Sequence, residues 1–119
     1  MNTAATLLTG VVAAEHVAFF ALESLFWRST ARTVFGVRSQ DIETTRVFAS
    51  NQGLYNLLLA IALVAGLFHA DPAASEALRV YGLSAVVLAG LWGGATVHPR
   101  VALVQALPAA FGLGFTLAA

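Results

Sequence analysis

Cysteine is absent from this chain, and so is lysine. The first absence excludes disulfide frameworks, zinc-thiolate sites and thiol catalysis together, and it leaves the redox compartment open. Charge of either sign is scarce: charged residues make up 10% of the 119, against about 25% in an ordinary soluble chain. Six arginines balance six acids to a formal net charge of zero, with no basic patch, so neither nucleic acid nor an acidic polymer is indicated as a partner. Internal repeats and low-complexity tracts are missing too, beyond a general bias to alanine, leucine and glycine.

What remains is apolar. Hydrophobic residues make up 59% of the sequence and gather in four runs. A helix rising ~1.5 Å per residue needs about 20 residues to cross a hydrocarbon core about 30 Å thick, and all four runs approach or exceed that length. The expected fold is all-α, an integral membrane four-helix bundle forming a single four-span domain over residues 1–119. Its helices are expected at about 3–27, 40–69, 72–97 and 99–118, with a connector at 28–39. The first run carries Glu15, His16 and Glu23 and has no basic start, so it reads as a retained helix and not as a cleaved signal.

The polar punctuation fits these boundaries. Ser39 can cap the second helix, with Asp41 and Glu43 in a first turn where the helix macrodipole favours negative charge. Asp71 followed by Pro72 restarts the third helix, and His98 with Pro99 the fourth, because proline is tolerated at the first helical position. Arg28, Arg32 and Arg38 occupy the first connector, Arg46 follows it near the start of the second helix and Arg100 lies at the third connector, whereas only Arg79 lies near the second connector. By the positive-inside rule the first and third connectors are cytoplasmic, which puts both termini and the 70–77 loop outside. Trp27 would then lie at the cytoplasmic interface.

Against this apolar background stands "NQGLYN", residues 51–56. Counting inward from the cytoplasmic ends, Glu23, Asn51, Gln52 and Gln105 fall roughly 7 to 12 Å deep, and Glu15, His16, Tyr55 and Asn56 about 16 to 20 Å deep. On the second helix Ala49, Gln52, Gly53, Asn56 and Ala60 follow the spacing of one stripe, and Gly53 reads as a close-contact position. His16, Phe20, Glu23 and Trp27 share a face of the first helix, while Glu15 and His16 point about 100° apart. An ionisable group facing lipid at a helix centre costs about 2.5 to 3.5 kcal/mol, so these side chains are expected to turn inward, with the carboxyls in their neutral form and donating to a carboxamide. Glu15, His16, Glu23, Asn51, Gln52, Tyr55, Asn56 and Gln105 together form the expected buried polar site. Pro108 should kink the last helix one turn from Gln105, since its ring clashes with the Val104 carbonyl. Gly90 and Gly94 have the four-residue spacing that lets helix backbones approach, more readily within the chain than between chains.

At these residues the chain resembles a family of small bacterial integral membrane proteins catalogued as a domain of unknown function. The resemblance rests on Glu15–His16, on Glu23, on "VFG" at 34–36, "NQGLYN" at 51–56, "GGAT" at 93–96 and "VQALP" at 104–108, and extends over nearly the whole chain. It implies four spans in a bacterial inner membrane and carries no activity with it.

The residues therefore leave three functions in play. The leading one is binding or proton-coupled transport of a small or lipid-like molecule at the polar site, resembling small multidrug transporters in architecture alone. In the second, the protein is a structural or accessory subunit of a membrane complex, its polar groups serving as interhelical bonds. The third is a membrane-embedded acid/base enzyme on a lipid-like substrate, with Glu15 or Glu23 as donor and His16 as base. Beyond the bilayer, partners would be that small or lipid-like ligand and a homo-oligomer or larger complex. No cofactor or metal is expected: His16, His69 and His98 fall at the middle, outer end and inner end of the spans, and no Glu-x-x-His pair occurs.

Overall fold

The computed structural model describes residues 2–119. All regular structure among them is helical: α1 (Thr3–Phe20), α2 (Trp27–Thr30), α3 (Ile42–Phe68), α4 (Pro72–Thr96), α5 (Pro99–Val101) and α6 (Leu107–Ala118). Two π-helical turns, Ala21–Leu25 and Ala102–Ala106, extend α1 and precede α6, and a 3-10 turn at Ser39–Asp41 leads into α3. Four continuous stretches are long and apolar enough to cross a membrane: Thr3–Leu25, Ser39–Phe68, Pro72–Thr96 and Pro99–Ala118. The chain is thus a multi-pass membrane protein by length and composition. Its backbone clusters into two compact units, Ala14–Ala60 and a second that joins the chain before Ala14 to Ile61–Ala119.

In the Ala14–Ala60 unit, the end of α1 is fastened to the start of α3 at its polar end. Phe26 leaves helical geometry (φ −121°, ψ 23°), and the buried Trp27 indole donates to the Ile42 carbonyl at 3.2 Å. Trp27, Ala31 and Ala49 form a small core, with Val37 and Ile42 packed against it and the Phe35 ring 5.3 Å from the indole. Trp27 is therefore a core residue of this unit. Gly36, at φ 68°, turns the chain through the left-handed region that a glycine reaches without penalty. Ser39 does not cap α3: no side-chain cap bond forms there, and its hydroxyl instead accepts from Arg32 at 3.4 Å. The Thr45 hydroxyl donates to the Asp41 carbonyl at 2.6 Å, and the Arg28–Glu43 pair (2.7 Å) ties α2 to α3 outside the apolar stretch.

In the other unit, Asp71 caps α4 by accepting from the Ala74 amide at 3.3 Å, with Pro72 in the first turn. His98 caps α5 in the same way, its Nδ1 accepting from the Arg100 amide at 3.1 Å. Pro108 has no N–H for the Val104 carbonyl, and here the helix ladder widens to the π turn at Ala102–Ala106, in which the Leu107 amide reaches back to the Ala102 carbonyl. The expected distortion at Pro108 thus takes the form of a π turn. The widened backbone needs room, and α4 supplies it. A Cβ on Gly90 would lie 2.6 Å from the Ala106 nitrogen and 3.0 Å from its Cα, and one on Gly94 would lie 2.6 Å from the Ala102 Cβ. The two glycines therefore serve a contact inside the chain.

These contacts set a stability prediction. Gly90→Ala forces the Ala106 backbone to move and should destabilise the protein by about 1 to 3 kcal/mol, despite the helix propensity of alanine. Gly10→Ala, where an added Cβ meets nothing within 4 Å, should be neutral or stabilising. Unfolding of both variants by SDS titration in mixed micelles, followed by circular dichroism, measures the difference.

Candidate functional site

The polar residues expected in one buried site divide by facing. Ala49, Gly53 and Ala60 are buried on α3 and Asn56 is half-buried beside them, so a small-residue stripe does run along this helix. A Cβ on Gly53 would collide with the Ser24 side chain, which makes Gly53 a point of close approach between α3 and the first π turn. The Ser24 hydroxyl donates to the Ser50 carbonyl at 2.8 Å across the same contact.

One turn further along α3, the Asn56 carboxamide donates to Glu23 Oε1 at 2.6 Å. This side-chain bond joins two spans and links positions 33 apart in sequence. The π turn carries Glu23. Its widened ladder returns the Phe26 amide to the Ala21 carbonyl at 2.9 Å, while the Leu22 carbonyl accepts from the Thr30 hydroxyl at 2.7 Å. A π turn inserts a residue into the helical register and re-aims the side chains after it, and such turns recur at functional sites.

Three expected members of the buried site are on the outside instead. Asn51, Gln52 and Tyr55 are exposed, Tyr55 by 63%. The reason is rotational. At about 100° per residue, Asn51 lies nearly opposite the Gly53 and Ala60 side of α3, and Gln52 is about 60° from Ala49 at the edge of the stripe. Depth had grouped these residues, and facing separates them. On the first span His16 is buried, 1% exposed, with the Phe19 ring edge-on at 5.3 Å. Glu15 is half-buried, and its Oε2 finds no hydrogen-bond partner among the described residues. Gln105, half-buried, and Pro108 belong to the other unit, where Gln105 occupies the second π turn.

Asn51 is not idle on its outer face. With Ser24, Arg46 and Ser50 it supplies the polar lining of a cleft of about 550 Å³, whose apolar lining is Phe20, Leu25, Val47 and Leu54. An adjoining lobe of about 240 Å³ shares Ser24, Leu25, Arg46 and Ser50 and adds Arg28, Ser29 and Trp27. The lining is mixed: along α3 a guanidinium, a hydroxyl and a carboxamide alternate with Val47 and Leu54, and on the facing segment Ser24 lies between Phe20 and Leu25. Arg46 donates to Glu43 at 3.3 Å, a carboxylate that Arg28 also holds at 2.7 Å. Spacing along α3 carried a signal for this cleft, since Val47, Ser50, Asn51 and Leu54 recur at i, i+3, i+4 and i+7. The missing half of the signal was the facing side of the π turn. Among the described residues no group of three or more His, Asp or Glu side chains comes together that would hold a metal ion.

A double-mutant cycle tests the interhelical bond. Glu23→Leu, Asn56→Leu and the pair should show a coupling energy of about 0.6 to 1.7 kcal/mol in SDS unfolding, and additive effects would mean that the bond carries nothing.

Neither the curated proteins nor the solved structures contain a significant match to the chain. A family profile does: it matches residues 10–117 and takes in both π turns, the Glu23–Asn56 pair and the cleft residues. The chain belongs to that family, described as proteins of unknown function (DUF1304).

Proposed function

We propose that this protein binds a small or lipid-like amphiphile in the cleft between the first π turn and α3, and that the Glu23–Asn56 pair couples occupancy of the cleft to a proton. The observation that carries this reading is the cleft itself, about 550 Å³ and lined by Arg46, Ser24, Ser50 and Asn51 together with Phe20, Leu25, Val47 and Leu54. That volume falls within the range of small-molecule sites, which combine an apolar lining with a few fixed polar groups. Arg46, Ser50 and Asn51 would take the polar end of the ligand, and Phe20, Val47 and Leu54 its hydrocarbon. Ser24 borders the cleft and follows Glu23 in sequence, so a ligand that moved the π turn would move the carboxyl against Asn56. Proton-coupled transport is the form this coupling takes if the cleft opens to both sides.

A second reading has its own observation. Gln52 and Tyr55 lie exposed on a spanning helix, beside Phe48 at 78% exposure. Polar groups facing outward at that level are suited to another helix, either a second copy or a larger membrane complex, because carboxamides both donate and accept across helix interfaces. The setting proposed for both readings is a bacterial inner membrane, with the arginine-rich connectors cytoplasmic and both termini outside.

Native mass spectrometry of protein released from its own membranes tests the first reading. The wild type should carry an adduct of small-molecule or lipid mass, and Arg46→Gln with Asn51→Leu should lose it by about tenfold or more. An adduct-free wild type, or one indifferent to these changes, sinks the reading, while a retained second protein chain that is lost in Gln52→Leu favours the other. The lack of cysteine makes topology a clean measurement. A lone cysteine at Ser39 should be shielded from an impermeant maleimide in intact cells, and one at Ala73 should react.

A further inference from the structure

Of the arginines, Arg79 alone is buried, 6% exposed, while the other five are exposed. It follows Pro72 by seven residues on α4, inside a stretch apolar enough to cross the membrane. The surroundings are shaped around it. A Cβ on Gly66 of α3 would lie 2.8 Å from Arg79 Cγ, so the glycine leaves space for the arginine stem. Ser75 Oγ donates to the Gly66 carbonyl at 2.6 Å and accepts from Arg79 Nε at 3.4 Å.

The remaining donors are unanswered. The ion pairs of the described residues involve Arg28, Arg38 and Arg46, and none reaches Arg79. Its terminal nitrogens make no hydrogen bond to any described residue, although a guanidinium presents a rigid fork suited to two oxygens of one oxyanion. The terminal nitrogens are not fully buried, so the fork reaches the protein surface, where an anion can meet it. Its level in the bilayer indicates the kind of anion. A helix of 25 residues is about 37 Å long, some 7 Å more than the hydrocarbon core, and Arg79 lies about 10 Å from its start. The side chain can carry its charge several ångströms back toward the helix end, to where phospholipid phosphates begin.

We propose that Arg79, held by Ser75 and Gly66, is an anion-binding site for a phosphate-type oxyanion, independent of the cleft in the other unit. The phosphate is supplied by a phospholipid headgroup or by a soluble phosphate. The test uses ¹⁵N-labelled full-length protein in maltoside micelles, which contain no phosphate, observing the six arginine Nε–H resonances. The Arg79 resonance is the one lost in Arg79→Lys. Phosphatidylglycerol is introduced in one series and inorganic phosphate in another, with chloride as the control. The expected result is a saturable shift of the Arg79 resonance in one series: the lipid series identifies a headgroup, and the phosphate series a soluble ligand. In parallel, that anion should raise the melting temperature of the wild type and of Arg79→Lys, and leave Arg79→Gln unchanged. An Arg79 resonance unmoved in both series, or drifting without saturation as the exposed arginines do, overturns the proposal and leaves Arg79 as a cation serving the C-terminal dipole of α3. The wild-type titration decides the matter even if Arg79→Gln fails to fold.

Discussion

Hydrocarbon cannot hydrogen-bond, so every polar side chain carried into it must be answered by protein, reach an interface, or meet a ligand. The bond from Asn56 to Glu23 is the clearest case of the first solution, and the Ala14–Ala60 unit is arranged around it. Its 2.6 Å length requires α3 and the π turn to approach closely. Gly53 permits that approach, and the Ser24 hydroxyl bonded to the Ser50 carbonyl fixes its register. Below it, the Trp27 indole on the Ile42 carbonyl closes the same pair of segments from the polar end. A larger residue at Gly53 would separate the carboxyl from its carboxamide without touching either.

The two π turns show how the chain accommodates polar groups in apolar helices. Glu23 lies in one and Gln105 in the other. In the second, proline explains the widened ladder, and the glycines of α4 opposite it explain why the wider backbone can still pack. In the first no proline is present. There the distortion is held by side chains: Thr30 takes the Leu22 carbonyl that the altered ladder releases, and Phe26 leaves helical geometry so that Trp27 can enter its core. The same local device therefore has a backbone cause in one span and a side-chain cause in the other.

The long helices were legible in the sequence because hydrocarbon thickness imposes a length on any uncharged run, and Asp71–Pro72 and His98–Pro99 announce their helix starts through proline's missing donor. Gly53, Gly90 and Gly94 were legible as close contacts because small residues at helical spacing have few other uses in a membrane. The π turns were not, since an inserted residue leaves no mark in composition and its cause at Glu23 lies in Thr30 and Trp27, further along the chain. Asn51, Gln52 and Tyr55 were misplaced because depth and identity say nothing of rotation, and neighbouring residues on a helix face different media. Arg79 was read only as one charge in a topology count. Its burial depends on Gly66, a residue of another helix, and single-helix periodicity cannot reveal that pairing.

Stability alone does not account for these polar groups. Replacing both members of a buried polar pair by apolar residues of similar shape is often neutral or stabilising, so a leucine pair could join α3 to the first span as firmly as Glu23 and Asn56 do. The same holds for Glu15, whose Oε2 has no hydrogen-bond partner among the described residues. On the proposed function these carboxyls serve by their chemistry: a proton that can be gained or lost, and an orientation that a ligand can change. In the Ala14–Ala60 unit that chemistry lies one residue from the wall of a cleft of mixed lining, which is the physical ground for treating the pair as part of a binding device and the bond between them as its resting state.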